Sequence, residues 1–230
     1  MKQDLPEPLT RPAPLTEQIY RALRDRLRMG AFDAEARLVD SVLARDMNVS
    51  RSPVREALSR LVADGLLETG ASGFRVPPVT AEAVDEIVDL RCLLEPVAAA
   101  RAAKSMPQEA IGSLRSAFEG AQSATADADL DAFLEANYAF RAGWLGHVTN
   151  RRLREALERF DDQAGTLRRM TLALPGAREE ALEMMGVGLE GFARRDPDAA
   201  ADFARRFVEA AARYFQHRRP TDGPAREEPT

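Results

Sequence analysis

Leu15, Ile19, Leu23 and Leu27 recur at every fourth position, a spacing that lines up one apolar face of an amphipathic helix, and Gly30 stops it. A connection, AFDAEARL, leads to Asp40, the expected N-cap of a short helix, SVLARDM, that Asn48 breaks. Ser50 is the expected cap of the next helix. Pro53 is tolerated in its first turn, where backbone N–H groups have no intrahelical partner. Val54, Ala57, Leu58, Leu61 and Val62 follow the i, i+3, i+4, i+7, i+8 rule and face a core. Arg51, Ser52, Arg55 and Ser59 therefore share the outward face. Gly65 ends the helix, and the extended runs LLET and FRVPP flank GASG as a small β-hairpin. Helix, short helix, turn, helix, hairpin is the order of a winged helix-turn-helix.

After Pro78 the apolar spacing is helical throughout. It breaks near Met106-Pro107, between Thr125 and Asp129, from His147 to Asn150, at Leu174-Pro175-Gly176 and at Asp196-Pro197. Asp196 followed by Pro197 is a cap and first-position proline pair. These breaks predict about six helices, too many for the first domain's core, and so a second, all-helical domain. The fold class is mainly α: a winged helix-turn-helix over residues 14–78 and a helical bundle over 79–217. A proline-rich arm (1–13) and a polar tail (218–230) are expected to be disordered.

Composition narrows the function classes. The 230 residues carry a formal net charge of −5, with 12 basic against 11 acidic residues up to Pro78 and 20 against 26 beyond it. Neither part is a basic tail, so nucleic-acid contact needs a local cluster. A single cysteine, Cys92, excludes an internal disulfide and fits a reducing cytoplasm. No apolar run is long enough for a membrane span, and no apolar leader opens the chain. There is no Ser-His-Asp set, no Cys-His ligand spacing and no phosphate-cradling glycine loop, so an enzyme on the bundle has no support.

The local cluster is at the start of the second helix of the helix-turn-helix. That end enters the major groove, where arginine can fork onto guanine O6 and N7 and serine can reach phosphates or base edges. Ser50, Arg51, Ser52 and Arg55 occupy those turns, and the helix N-terminus itself attracts phosphate. The segment Gly70 to Gly73 has little bulk and suits a wing tip at the minor groove. The alternative is a solvated polar face on a helical hairpin.

The stretch LARDMNVSRSPVREALSRLVADGLLETGASGFRV resembles the DNA-binding domain of GntR-type bacterial transcription regulators. The helical half resembles the effector domain of the FadR-like branch, the FCD domain, through LRCLLEP at 90–96 and the D-x-x-A-A pattern at Asp196 to Ala200. The resemblance implies that Arg51, Ser52 and Arg55 contact DNA, with Ser50 at the helix cap, Arg45 on a phosphate and Gly73 in the wing. One departure is Ala36, where the family usually has glycine before the Arg-Leu pair.

Many relatives of that kind hold a metal through an Asp-x-x-x-His pair and two later histidines. The matching positions here are Asn137, Arg141, Met185 and Phe207, and the chain's two histidines, His147 and His217, lie elsewhere. No metal or other cofactor is expected. Asn137 and Arg141 lie on or beside the apolar stripe of their helix. An arginine facing a bundle interior stays charged and needs an anion. That anion is either an effector's carboxylate or a protein acid such as Glu95 or Asp89, unless the side chain snorkels to the surface. Arg91, Asn137, Arg141 and Met185 are the expected effector residues. The resulting expectation is a cytoplasmic homodimer, a repressor of a palindromic operator, responding to a small organic acid or acyl compound. The rival is a DNA-binding protein whose helical domain only dimerises.

Overall fold

The computed structural model describes residues 13–32, 36–70 and 73–218. The expected arm up to residue 12, the expected tail from residue 219, and wing-tip residues 71 and 72 lie outside them. Among the described residues the elements run α1 (Leu15–Arg28), β1 (Arg37–Leu38), α2 (Asp40–Asp46), α3 (Arg51–Ala63), β2 (Glu68–Gly70) and β3 (Gly73–Arg75). They continue with α4 (Ala81–Ser105), α5 (Ala110–Ala126), α6 (Leu130–Leu145), α7 (Arg151–Gln163), α8 (Gly165–Leu172), α9 (Ala177–Ala193) and α10 (Pro197–Arg218). Contacts divide the chain into two units. Residues up to Asp25 group with 35–77, while 26–34 group with everything from Pro78 onward.

In the first unit the core forms where the periodicity placed it. Val54, Ala57, Leu58 and Leu61 are buried, with Ile19, Leu23 and Leu38 from α1 and β1. Val62 is only half-buried, and Leu15, at the start of α1, is exposed. Asn48 turns the chain between α2 and α3 at φ 52°, a left-handed conformation that asparagine accepts more readily than most residues. Two expected caps differ. Val39 holds the cap position of α2, and Asp40 is the helix's first residue, its carboxylate turned toward Arg51. Ser50 has the extended backbone of a cap residue, but its hydroxyl bonds no helix N–H.

The hairpin is a three-stranded antiparallel sheet in the order β1-β3-β2. β3 pairs Phe74 with Leu38 on one side and with Thr69 on the other. The two-residue β1 was too short to leave a sequence signal. It also explains Gly73: at φ 134° a side chain is strained, and a Cβ would lie 2.8 Å from the Leu38 carbonyl oxygen.

The second unit holds seven described helices where about six were expected, because α7 and α8 are separated by Ala164 alone, with no proline to mark the boundary. Four other helix starts are capped by side chains, while α5 and α9 begin without such a cap. Thr80, Asp129, Asn150 and Asp196 accept from first-turn N–H groups at 3.0–3.2 Å. α4 packs along α10, α5 along α6, and α9 bridges α5 and α10. At the centre Trp144 stacks on Phe192 with centroids 5.9 Å apart, and Phe192 and Phe140 both meet Phe203 edge-on.

Gly165, the first residue of α8, is seated against the last turn of α1. A Cβ there would lie 2.5 Å from the Leu27 carbonyl oxygen and closer still to that of Arg28. Both neighbours are backbone, which cannot swing aside. Gly165→Ala should therefore destabilise the protein by about 1–3 kcal/mol, measured by urea unfolding. An unchanged midpoint would mean that α8 can slide off α1 without cost.

Candidate functional site

The outward face of α3 is arranged as expected: Arg51, Ser52, Arg55 and Ser59 are all exposed. Arg51 Nη2 donates to both Asp40 carboxylate oxygens, at 3.0 and 3.1 Å. With the Arg51 end of the pair open to solvent, its contribution to stability is small. Arg55 has no ion pair among the described residues, and Ser59 donates to its carbonyl at 2.9 Å. Arg45 on α2 is exposed, 3.3 Å from Asp46. Behind this face Arg60 pairs with Glu17 at 2.8 Å and lies over the Tyr20 ring, while Tyr20 donates to Asp64 at 2.7 Å. These contacts fix α3 on α1 and so aim its first turns.

The second site is buried. Arg91 and Glu95 come from α4, Arg141 from α6, Asp161 from α7 and Arg168 from α8. Arg91 Nε donates to Glu95 Oε1 at 2.5 Å, and Arg141 Nη1 donates to Glu95 Oε2 at 2.7 Å. Arg141 Nε lies 2.8 Å from Asp161, an ion pair whose N–H is poorly aligned for a hydrogen bond. Arg168 Nη2 also binds Asp161. Three guanidiniums thus share two carboxylates, and none of these side chains is more than 10% exposed.

The surplus cation falls unevenly. Burial opposes the charge on Arg141, but Glu95 and Asp161 together outweigh it and raise its pKa above the ordinary value. Burial pulls Arg168 below its ordinary value, Asp161 offsets this only in part, and Arg91 and Arg141 add repulsion. Burial would raise both carboxyls, yet the surrounding arginines hold Glu95 and Asp161 below their usual range. Three buried donors around the cluster meet no protein acceptor: Arg141 Nη2, Arg168 Nη1 and Trp144 Nε1. All lack an acceptor, so the local demand is for negative charge or lone pairs.

Two cavities adjoin the cluster and share Arg91, Arg168 and Phe207 in their walls. The smaller, about 20 Å³, is lined by Arg91, Asn137, Arg141 and Met185, so one space brings together all four expected effector residues. The larger, about 40 Å³, runs past Leu167, Thr171, Met184 and Tyr214. Both volumes suit waters or the head of a small acid.

The four positions matching the family's metal ligands do meet at the smaller cavity, but they do not suit a metal. Arg141 brings a positive charge, the Asn137 amide nitrogen faces the Met185 sulfur at 3.7 Å, and Phe207 offers no donor atom. Among the described residues no three His, Cys, Asp or Glu side chains form a metal-binding group. Arg141 does pair with Glu95, the protein acid that its position suggested. Asp161 and Arg168 were not anticipated, because the charged run from Arg151 to Arg169 reads as a solvated face.

Residues 15–76 match the family model of bacterial regulatory proteins of the gntR family, and residues 86–210 match the FCD domain. An uncharacterized HTH-type transcriptional regulator of Bacillus subtilis (strain 168), YdhC, is 31% identical over 156 residues, 67% of this chain and 70% of its own length. The HTH-type transcriptional regulator McbR of Escherichia coli (strain K12) is 35% identical over 128 residues, 55% of this chain and 58% of its own. The solved structure of E. coli McbR/YncC matches with a TM-score of 0.82 at 26% identity, covering 90% of this chain and 99% of that one.

The pairing pattern predicts unequal losses from two arginines. Arg141→Ala removes the one guanidinium that pairs with both buried carboxylates and should cost about 3–5 kcal/mol. Arg168→Gln removes a partner of Asp161 alone, leaves Arg141 on both carboxylates, and should cost far less. Chemical denaturation of both variants checks the order, and equal losses would contradict a surplus at Arg168.

Proposed function

The chain belongs to the GntR family of bacterial regulatory proteins with an FCD domain and is a DNA-binding transcription regulator, and we propose that it is a homodimeric repressor of a palindromic operator, released by a small organic acid bound without metal in its helical unit. The observation that carries the effector reading is the buried cluster of three arginines on two carboxylates, whose unmet donors border a cavity. An organic carboxylate supplies the missing negative charge and can accept from a guanidinium in a two-pronged fork. Arg168 and Arg91 border both cavities and hold the ligand's carboxylate, while Arg141 closes its far side. Asn137 and Met185 shape the wall of the smaller space. The cavity volumes favour a compact acid over a long acyl chain. The same volumes lend weight to a second reading, in which the helical unit binds no ligand and serves only to dimerise.

On DNA, α3 enters the major groove with Ser50, Arg51, Ser52 and Arg55 leading. Gly73 supports the wing, and Arg45 meets a phosphate. A palindromic operator follows from two such helices related by a two-fold axis, since one alone reads too few bases for useful discrimination.

Arg55→Ala should cost about 1–3 kcal/mol of operator affinity and relax preference at one base pair, measured by fluorescence anisotropy on singly substituted operators. Arg45→Ala should weaken every duplex alike and reduce the salt slope by about 1. A uniform loss from Arg55→Ala would remove that residue from base reading.

For the effector, a thermal-shift screen of small mono- and dicarboxylic acids on chelator-treated protein should give at least one hit that releases operator DNA. At a hundredfold excess over Kd the stabilisation should be about 2.7 kcal/mol. Arg168→Gln should lose the hit and keep operator binding. Dependence on added Zn, Ni or Mn would contradict the metal-free reading, and a silent screen would favour the dimerisation-only alternative.

A further inference from the structure

The inner face of α4 is buried, through Val84, Ala98, Ala99 and Ala102 as well as Arg91 and Glu95. Its outer face should then be polar, yet Leu90 is 42% exposed, Leu93 69% and Val97 47%. These are half of the six large apolar residues exposed among those described. They do not stand alone. Glu86, Leu90, Leu93, Val97, Ala100 and Lys104 follow one another at alternating steps of four and three, the seam along which two helices pack. At about 1.5 Å per residue this seam runs for roughly 27 Å.

The two ends of the seam carry opposite charges. Glu86 and Lys104 are both exposed, and neither has an ion pair among the described residues. We infer that this face docks on its own copy, α4 against α4 and antiparallel, about a two-fold axis between Leu93 and Val97. The position numbers of facing residues then sum to a constant. Leu93 meets the second copy's Val97, Leu90 meets its Ala100, and Glu86 meets its Lys104, each pair occurring twice. Parallel pairing sets Glu86 on Glu86 and Lys104 on Lys104, so charge selects the antiparallel arrangement. An antiparallel pair closes into a two-fold dimer and leaves no free copy of the seam. The partner is therefore a second copy, because one surface carries both halves of the charge pattern.

This rests on the homodimer in the proposed function and adds its interface. The seam also lies on the helix that carries Arg91 and Glu95, so the two chains' ligand clusters sit back to back across it.

Sedimentation analysis of the full chain tests the inference. The wild type should be a dimer, and Leu93→Glu should shift it to monomer with its helical circular dichroism unchanged, since Leu93 is largely exposed in its own chain. Glu86→Lys and Lys104→Glu should each weaken the dimer about tenfold, because each replaces two attractions by two repulsions. The double variant should return to within a few-fold of wild type. A Leu93→Glu protein that stays dimeric and still binds operator overturns the interface alone. A monomeric wild type overturns the interface and the homodimer together. Two weakened single variants without rescue by the double variant overturn the antiparallel register. Should Leu93→Glu lose its helical signal, the charge exchange decides the matter alone.

Discussion

The second unit depends on one electrostatic constraint: three arginines and two carboxylates that must satisfy one another away from water. Arg91, Glu95, Arg141, Asp161 and Arg168 come from α4, α6, α7 and α8, so the relative placement of four helices is tied to their geometry. An unpaired buried ion costs several kcal/mol, which makes any slip of these helices expensive. Apolar packing alone tolerates exchange of similar shapes, whereas forked guanidinium contacts do not. The cluster is one negative charge short, and that shortage, more than the size of the cavity, carries the proposal of an anionic ligand.

The same helix that completes the cluster also supports α1. Arg168 and Gly165 are one turn apart on α8, and Gly165 lies against the carbonyls of Leu27 and Arg28. Arg28 in turn lies over the Tyr138 ring on α6, donates to its hydroxyl at 2.7 Å and approaches Asp162 at 3.9 Å. The cavity wall and the seat of the last turn of α1 are thus parts of one short, stiff element. Arg26 to Arg28, the last turn of α1, group with the second unit, so these contacts belong to that unit's own packing.

Much of this was legible in the sequence where periodicity and punctuation are strong. The apolar register of α3 placed Arg51, Ser52 and Arg55 outward, and every break marked by proline or a capping residue became a helix boundary. Short or unmarked features were not legible. β1 is two residues long, the α7–α8 boundary is a single alanine, and the caps expected at Asp40 and Ser50 gave way to an ion pair and to solvent. Leu90, Leu93 and Val97 could not be singled out either, since an exposed leucine and a buried one look alike in a helix hydrophobic on both sides.

The sequence by itself determined which face of α3 is polar and which residue types stand at the metal-ligand positions, because both are local: one needs only helical periodicity, the other only chemical identity. It also placed Arg141 on or beside an apolar stripe, where an arginine that faces inward needs an anion. Only the tertiary structure decided that the anion is Glu95 together with Asp161, and that Arg168 is left short of charge. Periodicity says which side of a helix faces inward and nothing about what stands opposite. Charge compensation is a property of groups brought together from four helices, so it exists only once they have packed.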